Sequence, residues 1–165
     1  MASALKLLEQ RCYKEISVLD IVADSGVNRN TFYYHFRDMP ALIEELARCS
    51  IDGAFSDSSL SLVDKLKTAV DTMYEHKKIA LHVYSSAERV VFDKCLDRVC
   101  EHLVNHIFNC CPELQLRTPE EKKRLFTLSK SCCYGLLCDW LLNGLDEENR
   151  LMLHAICDDT LRILQ

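Results

Sequence analysis

Apolar positions along this chain recur three and four residues apart almost throughout, the spacing of one buried helix face. Ala4, Leu5, Leu8 and Cys12 predict a first helix over residues 3–12. The run Val18-Leu19-Asp20-Ile21-Val22-Ala23 predicts a second. Ser17 suits its N-cap, Asp20 three residues on makes an imperfect capping box, and Gly26 suits a left-handed stop after about Asp24. A short third helix covers roughly 29–35, opened by Asn28 or Arg29, with Phe32 and Phe36 four apart and pointing inward. Asp38 can cap a fourth with Pro40 in its first turn, and Leu42, Leu46, Cys49 and Gly53 carry it to about Phe55.

Asp57-Ser58-Ser59 breaks the pattern and reads as a linker. Leu62, Leu66, Ala69, Val70 and Met73 predict a fifth helix that ends near Lys77-Lys78, followed by a short apolar stretch from Ile79 to Tyr84. Residues 86–110 predict a long helix with two apolar stripes, one through Phe92, Leu96, Val99, Leu103 and Ile107, the other through Cys100, Val104, Phe108 and Cys111. A helix apolar on two sides is buried between neighbours. Pro112 to Thr118 reads as a loop. Thr118-Pro119-Glu120-Glu121 is a strong helix start, with a cap, a proline and acids at the positive dipole end. That helix reaches about Leu142, Asn143-Gly144 ends it, and Asp146-Glu147-Glu148 starts a last helix to Leu164. No strand-like alternation and no internal repeat is seen, so the expected class is all-α with eight or nine helices.

Composition agrees. The 165 residues are 48% hydrophobic, enough for a real core, and three prolines and four glycines leave long helices easy. No run of 18 apolar residues exists, so no membrane span is expected. The start, Met1-Ala2-Ser3-Ala4-Leu5-Lys6, lacks the length and cleavage site of a signal peptide. The ten cysteines sit inside helical patterns in a chain too apolar to need staples, which points to a reduced cytoplasmic protein with small core thiols rather than a disulfide framework.

One segment carries chemistry. In Val27-Asn28-Arg29-Asn30-Thr31-Phe32-Tyr33-Tyr34-His35-Phe36, which follows Gly26, the residues Arg29, Asn30, Thr31, Tyr33 and His35 can donate outward while Phe32 and Phe36 anchor the back. Helix, glycine turn and short donor-rich helix make a helix-turn-helix. The alternative is a helical hairpin with a surface aromatic cluster. Net charge is −5, and residues 1–50 carry six basic against seven acidic groups. Non-specific phosphate attraction is therefore weak, and DNA binding needs a few well-placed donors doubled by dimerisation.

Over residues 4–46 the chain resembles the TetR family of bacterial transcription regulators, through Ile16-Ser17-Val18, Asp20-Ile21, Gly26-Val27, Thr31 to Phe36 and Leu42. Residues 47–165 resemble it in helix pattern and in Tyr134-Gly135-Leu136 through Trp140-Leu141. The Asn28–Phe36 variant looks closest to a subgroup that includes activators of dihydroxyacetone kinase operons. The resemblance implies a DNA-binding domain over 1–46 and a helical ligand-binding and dimerisation domain over 47–165. It implies a homodimer in which each subunit lays its third helix in the major groove of one half-site of a double-stranded operator, and whose last two helices pair as a four-helix bundle. It also implies a fourth helix that moves when an effector binds. By position, Arg29, Asn30 and Tyr33 would face bases. Ser17, Thr31, Tyr34 and His35 would face phosphates or sugars. Arg suits guanine and Asn adenine, while hydroxyls and a helix N-terminus suit phosphate.

The chain departs from the family at Val22, where a small residue is usual, so the two helices would sit farther apart. It departs again at Met39, where the family has a phosphate-clamping lysine; Arg37 is the candidate replacement. The basic N-terminal arm of many relatives is absent or has been trimmed.

Other constellations have plainer readings. His102, His106 and Cys110, with Cys95 on the same side, recur at a spacing that can hold zinc or copper. Val99 among them and the lack of a fixed metal-binding motif favour interior packing, so no metal and no cofactor is assigned. The vicinal pairs Cys110-Cys111 and Cys132-Cys133 can be redox sensors, but packing is favoured, since neighbours on a helix point about 100° apart. Small side chains at Ser129, Cys132, Cys133 and Gly135 admit another helix. A dimer seam is expected there with Leu136, Trp140, Leu153, Cys157, Leu161 and Leu164. Met73, Tyr74, His82, Tyr84, Phe108 and Tyr134 are expected to line a pocket for a medium-sized apolar or aromatic effector, each being equally at home in the core. No nucleophile–base pair, phosphate loop or carboxylate pair stands out, so no enzyme is expected.

The resulting expectation is a regulator that binds a pseudo-palindromic operator as a homodimer under an unknown effector, small molecule or protein. The alternative is a protein-interaction module of the same fold, with a partner protein as effector and weak or lost DNA binding.

Overall fold

The computed structural model describes the backbone of residues 1–164 and the side chains of residues 1–159, and every described element is helical. Three short helices come first: α1 (Ala2–Gln10), α2 (Val18–Ser25) and α3 (Arg29–His35), with a single 3-10 turn at Tyr13–Glu15 between the first two. α4 (Met39–Phe55), α5 (Leu62–Glu75), α6 (Lys77–Ser86), α7 (Arg89–Cys110), α8 (Pro112–Gln115), α9 (Pro119–Leu142) and α10 (Glu147–Leu164) follow.

Local chemistry explains the ends. Ser17 caps α2 through a complete capping box: the Asp20 N–H donates to Ser17 Oγ, and the Ser17 N–H donates back to the Asp20 carboxylate at 2.8 Å. Gly26 stops α2 at φ 69°, a left-handed conformation that glycine adopts without steric cost. The Asn28 side chain caps α3, accepting from the Thr31 N–H at 2.8 Å. Asp38 caps α4 and Thr118 caps α9 in the same way. Between α9 and α10, Leu145 takes φ 53°, rare for a residue with a side chain. Its side chain is fully buried and its N–H donates to the Trp140 carbonyl at 2.8 Å.

Three elements differ from the expected pattern. α1 stops at Gln10 because Arg11 turns extended, which lets its guanidinium reach the Glu15 carbonyl and Asp20. The stretch after Lys77 is a helix in its own right, α6, with His76 serving as the boundary of both α5 and α6. Pro112 opens the short α8, which tucks Leu114 into the interior.

Three apolar clusters organise the packing. The first joins Ala4, Leu8, Ile16, Ile21, Val22, Phe32, Leu42 and Leu46 with Ile79 and Val83 of α6. The short helices therefore close over α6 as well as over the start of α4. The second gathers Leu96, Cys100, Trp140, Leu141, Leu145 and Leu153. The third joins Ile51, Ala54 and Phe55 at the end of α4 with Leu66 and Cys157. α4 thus contributes to two clusters and runs unbroken across residues 46 and 47. No helix among the described residues is long and apolar enough to cross a membrane.

Candidate nucleic-acid interface and effector cavity

α3 presents its donors on one face because Phe32, only 4% exposed, anchors the opposite one. Phe36 and Tyr33 pack around Phe32, with ring centres 5.5 and 5.4 Å away. Arg29, Asn30, Thr31, Tyr33, Tyr34 and His35 are all exposed, and Tyr34 is 85% so. The Tyr34 and His35 rings meet edge to face at 5.1 Å. An aromatic this open is covered by nothing among the described residues.

The ionic groups around α3 are mostly occupied. Lys6 pairs with Asp24, Arg11 with Asp20, Arg37 with Asp38 and Arg48 with Glu44. Of the six cations in residues 1–50, Lys14 and Arg29 have no acidic partner among the described residues, and only Arg29 lies on α3. Arg37, the candidate replacement for the missing lysine, is exposed but donates to Asp38 at 2.9 Å. Burial alone would raise the Asp38 carboxyl, but the Ala41 N–H and the Arg37 guanidinium outweigh it and hold it below its usual range. Met39 turns inward against the first cluster. Ser17 and Thr31 are exposed, but both hydroxyls point into their caps, Ser17 Oγ to Asp20 at 2.6 Å and Thr31 Oγ1 to Asn28 at 3.2 Å.

Residues 1–46 match the family described as bacterial regulatory proteins, tetR family, and residues 61–158 match a transcriptional regulator C-terminal region. The chain belongs to the TetR family. Among solved structures it is similar to the dihydroxyacetone kinase operon activator DhaS, with a TM-score of 0.66 and 14% identity over 98% of this chain and 93% of that one. It is also similar to Salmonella enterica GusR, with a TM-score of 0.54 and 16% identity over 98% and 92%. At these identities the likeness is one of fold. A comparison with curated protein sequences gave no significant match.

In this TetR-family chain an apolar cavity of about 730 Å³ is lined by residues of α1, α4, α5, α6, α7, α9 and α10. Leu8, Leu66, Val70, Val99, Leu103 and Trp140 are among its walls. Of the six residues expected to line a pocket, Met73 lines this cavity, and Tyr134 lines a separate, smaller one with Val90, Asp93 and Asp97. The others carry polar heads or partners that draw them elsewhere. Tyr74 lies beneath the Lys77 ammonium and the Arg150 guanidinium. His82 donates from Nδ1 to the Leu8 carbonyl at 2.8 Å. Tyr84 meets Arg89 and Phe92, and Phe108 packs on Phe126. Burial, helped by Cys138 and Asp93, pushes the Tyr134 hydroxyl up to about 12.

The expected dimer seam is also divided. Trp140, Leu153 and Cys157 are buried in the protomer's own core, and Cys133 and Leu136 pack partly against it. Cys132 and Gly135 are exposed. The side chains of Leu161 and Leu164 lie outside the described ones. Pattern reading passed over Leu128 and Leu142 on α9 and Leu151 and Met152 on α10, all exposed. Leu128, Gly135 and Leu142 stand seven apart, a spacing that puts them on one face of α9.

Proposed function

We propose that the chain is a DNA-binding transcriptional regulator that grips a pseudo-palindromic operator as a homodimer. The observation that carries this reading is the outer face of α3. Arg29, the one cation there with no acidic partner, stands beside exposed Asn30 and Tyr33, and Phe32 locks the helix from behind. Arg29, Asn30 and Tyr33 read bases, while Tyr34 and His35 meet the backbone, with Ser17, Thr31 and Arg37 in support. Residues 1–46 form the reader, and the remainder forms the effector and dimer unit.

The dimer forms through the open faces of α9 and α10. Leu128, Cys132, Gly135 and Leu142 supply one wall and Leu151, Met152 and Ala155 the other, an apolar strip with small residues for close helix approach. The effector is an apolar small molecule held in the cavity, whose walls are almost entirely hydrocarbon.

Fluorescence anisotropy with DNA from upstream of the gene, alongside sedimentation of the same sample, tests the reading. Saturable, salt-sensitive binding by a folded dimer is the expected result. A folded dimer with no affinity for any such site would leave the fold serving protein partners instead.

A further inference from the structure

We propose that Asp52, His102 and His106 form a binding site for a divalent ion of the zinc class, clasping α4 to α7. The two histidines stand one turn apart on α7, and Asp52 reaches them from α4. Both Nε2 atoms donate to the same oxygen, Asp52 Oδ1, at 2.6 and 2.8 Å. The three ligand atoms all lie within 4.8 Å of one another. The two imidazole rings meet edge to face, and Phe55 packs against His106 with ring centres 4.8 Å apart, which fixes the ring in place.

Chemistry and geometry both fit. Two imidazoles and a carboxylate suit zinc and its neighbours better than the hard cations, which prefer all-oxygen sets. A tetrahedral ion with bonds of about 2.0–2.1 Å spaces its ligands about 3.3 Å apart. Small rotations of the side chains reach that spacing. The histidines are partly buried and Asp52 is half-exposed, so water has access to a fourth position. Asp52 also lies in the last turn of α4, where the helix dipole disfavours an anion and favours a cation. Cys110 and Cys95, the thiols that the sequence spacing put on the same side, are not in the cluster; the third ligand comes from another helix.

The test is metal titration of the full-length, tag-free protein after chelator treatment, followed by calorimetry with Zn²⁺ and visible absorption with Co²⁺. One ion per chain is expected, and its binding should raise the melting temperature. Asp52→Asn and His106→Gln should each weaken binding by more than about tenfold, with helix content unchanged by circular dichroism. His76→Gln, away from the cluster, should bind as the parent does. Absence of stoichiometric uptake overturns the proposal. So does uptake that survives both variants, as binding at any of the ten cysteines would. The readout does not involve DNA, so it stands whether or not operator binding is found.

Discussion

The Arg29 guanidinium lies 5.4 Å from the centre of the Tyr33 ring and donates to the Tyr33 hydroxyl at 3.3 Å. The two side chains, one helical turn apart, hold each other on the open face of α3. Such mutual support lowers the entropy lost when a long side chain is fixed against a partner.

Arg29→Ala is expected to cost roughly 1–3 kcal/mol on the best operator and to relax preference at one base position. Anisotropy on a set of single-base operator variants measures this. An equal loss on every sequence would assign Arg29 to the phosphates.

Removing the α3 cap should act through folding. In Asn28→Ala the Thr31 N–H loses its acceptor, at a cost of about 1 kcal/mol. Asn28→Asp, which keeps an acceptor oxygen, should recover most of it. Urea melts of the three proteins decide the point.

Acid should destabilise the fold below about pH 4. Hydrogen bonds from Ser17, Lys6, Ser59, Thr118 and Arg150 hold Asp20, Asp24, Asp57, Glu121 and Glu147, respectively, below the ordinary carboxylate range. A carboxyl lowered by folding stabilises above its unfolded value, about 3.9 for Asp and 4.3 for Glu. That stabilisation is lost as the pH falls through the folded value. The urea midpoint should therefore drop on acidification; a rise would contradict it.

Trp140 is the single tryptophan, 1% exposed, and its Nε1 donates to the Asp146 carbonyl at 3.0 Å. Trp140→Phe removes one of the two donors to that carbonyl, which keeps the Arg150 N–H at 3.2 Å. It should cost about 0.5–1.5 kcal/mol for the lost hydrogen bond, and Trp140→Ala about 3–5 kcal/mol. Because Trp140 also walls the cavity, an apolar ligand that enters should change its emission. A saturable fluorescence titration checks that.

Leu151→Glu places charge in the exposed strip of α10 and should shift the protein from dimer to monomer in sedimentation velocity, with helix content retained. Glu148→Ala, on the same exposed side, should leave the dimer intact.

The helix starts were legible because they depend on near neighbours. Ser17, Asp38 and Thr118 each cap a helix where the spacing put one, and Gly26 ends α2 as a left-handed stop. The orientation of α3 was legible for the same reason, since Phe32 can face only one way. Matters of long range were not. Nothing local in Ile79 and Val83 says that α6 belongs under α1, or that Trp140 packs inward while Leu142 faces out. Asp52 was invisible as a partner of His102 because 50 residues separate them. Their meeting follows from how α4 and α7 lie together.

That arrangement has a mechanical consequence. Cys95 meets the Pro40 carbonyl, Arg98 holds Glu44 at 2.7 Å, and His102 and His106 hold Asp52. The contacts advance in the same direction along both helices, so α4 and α7 run parallel like the two rails of a splint. α4 has 17 residues and so spans about 25 Å at 1.5 Å per residue. A tilt of about 5° about either end would sweep the other by about 2 Å. Whatever seats itself against α7 thus has a long arm on α3, and each stitch along the splint decides how much of the swing arrives.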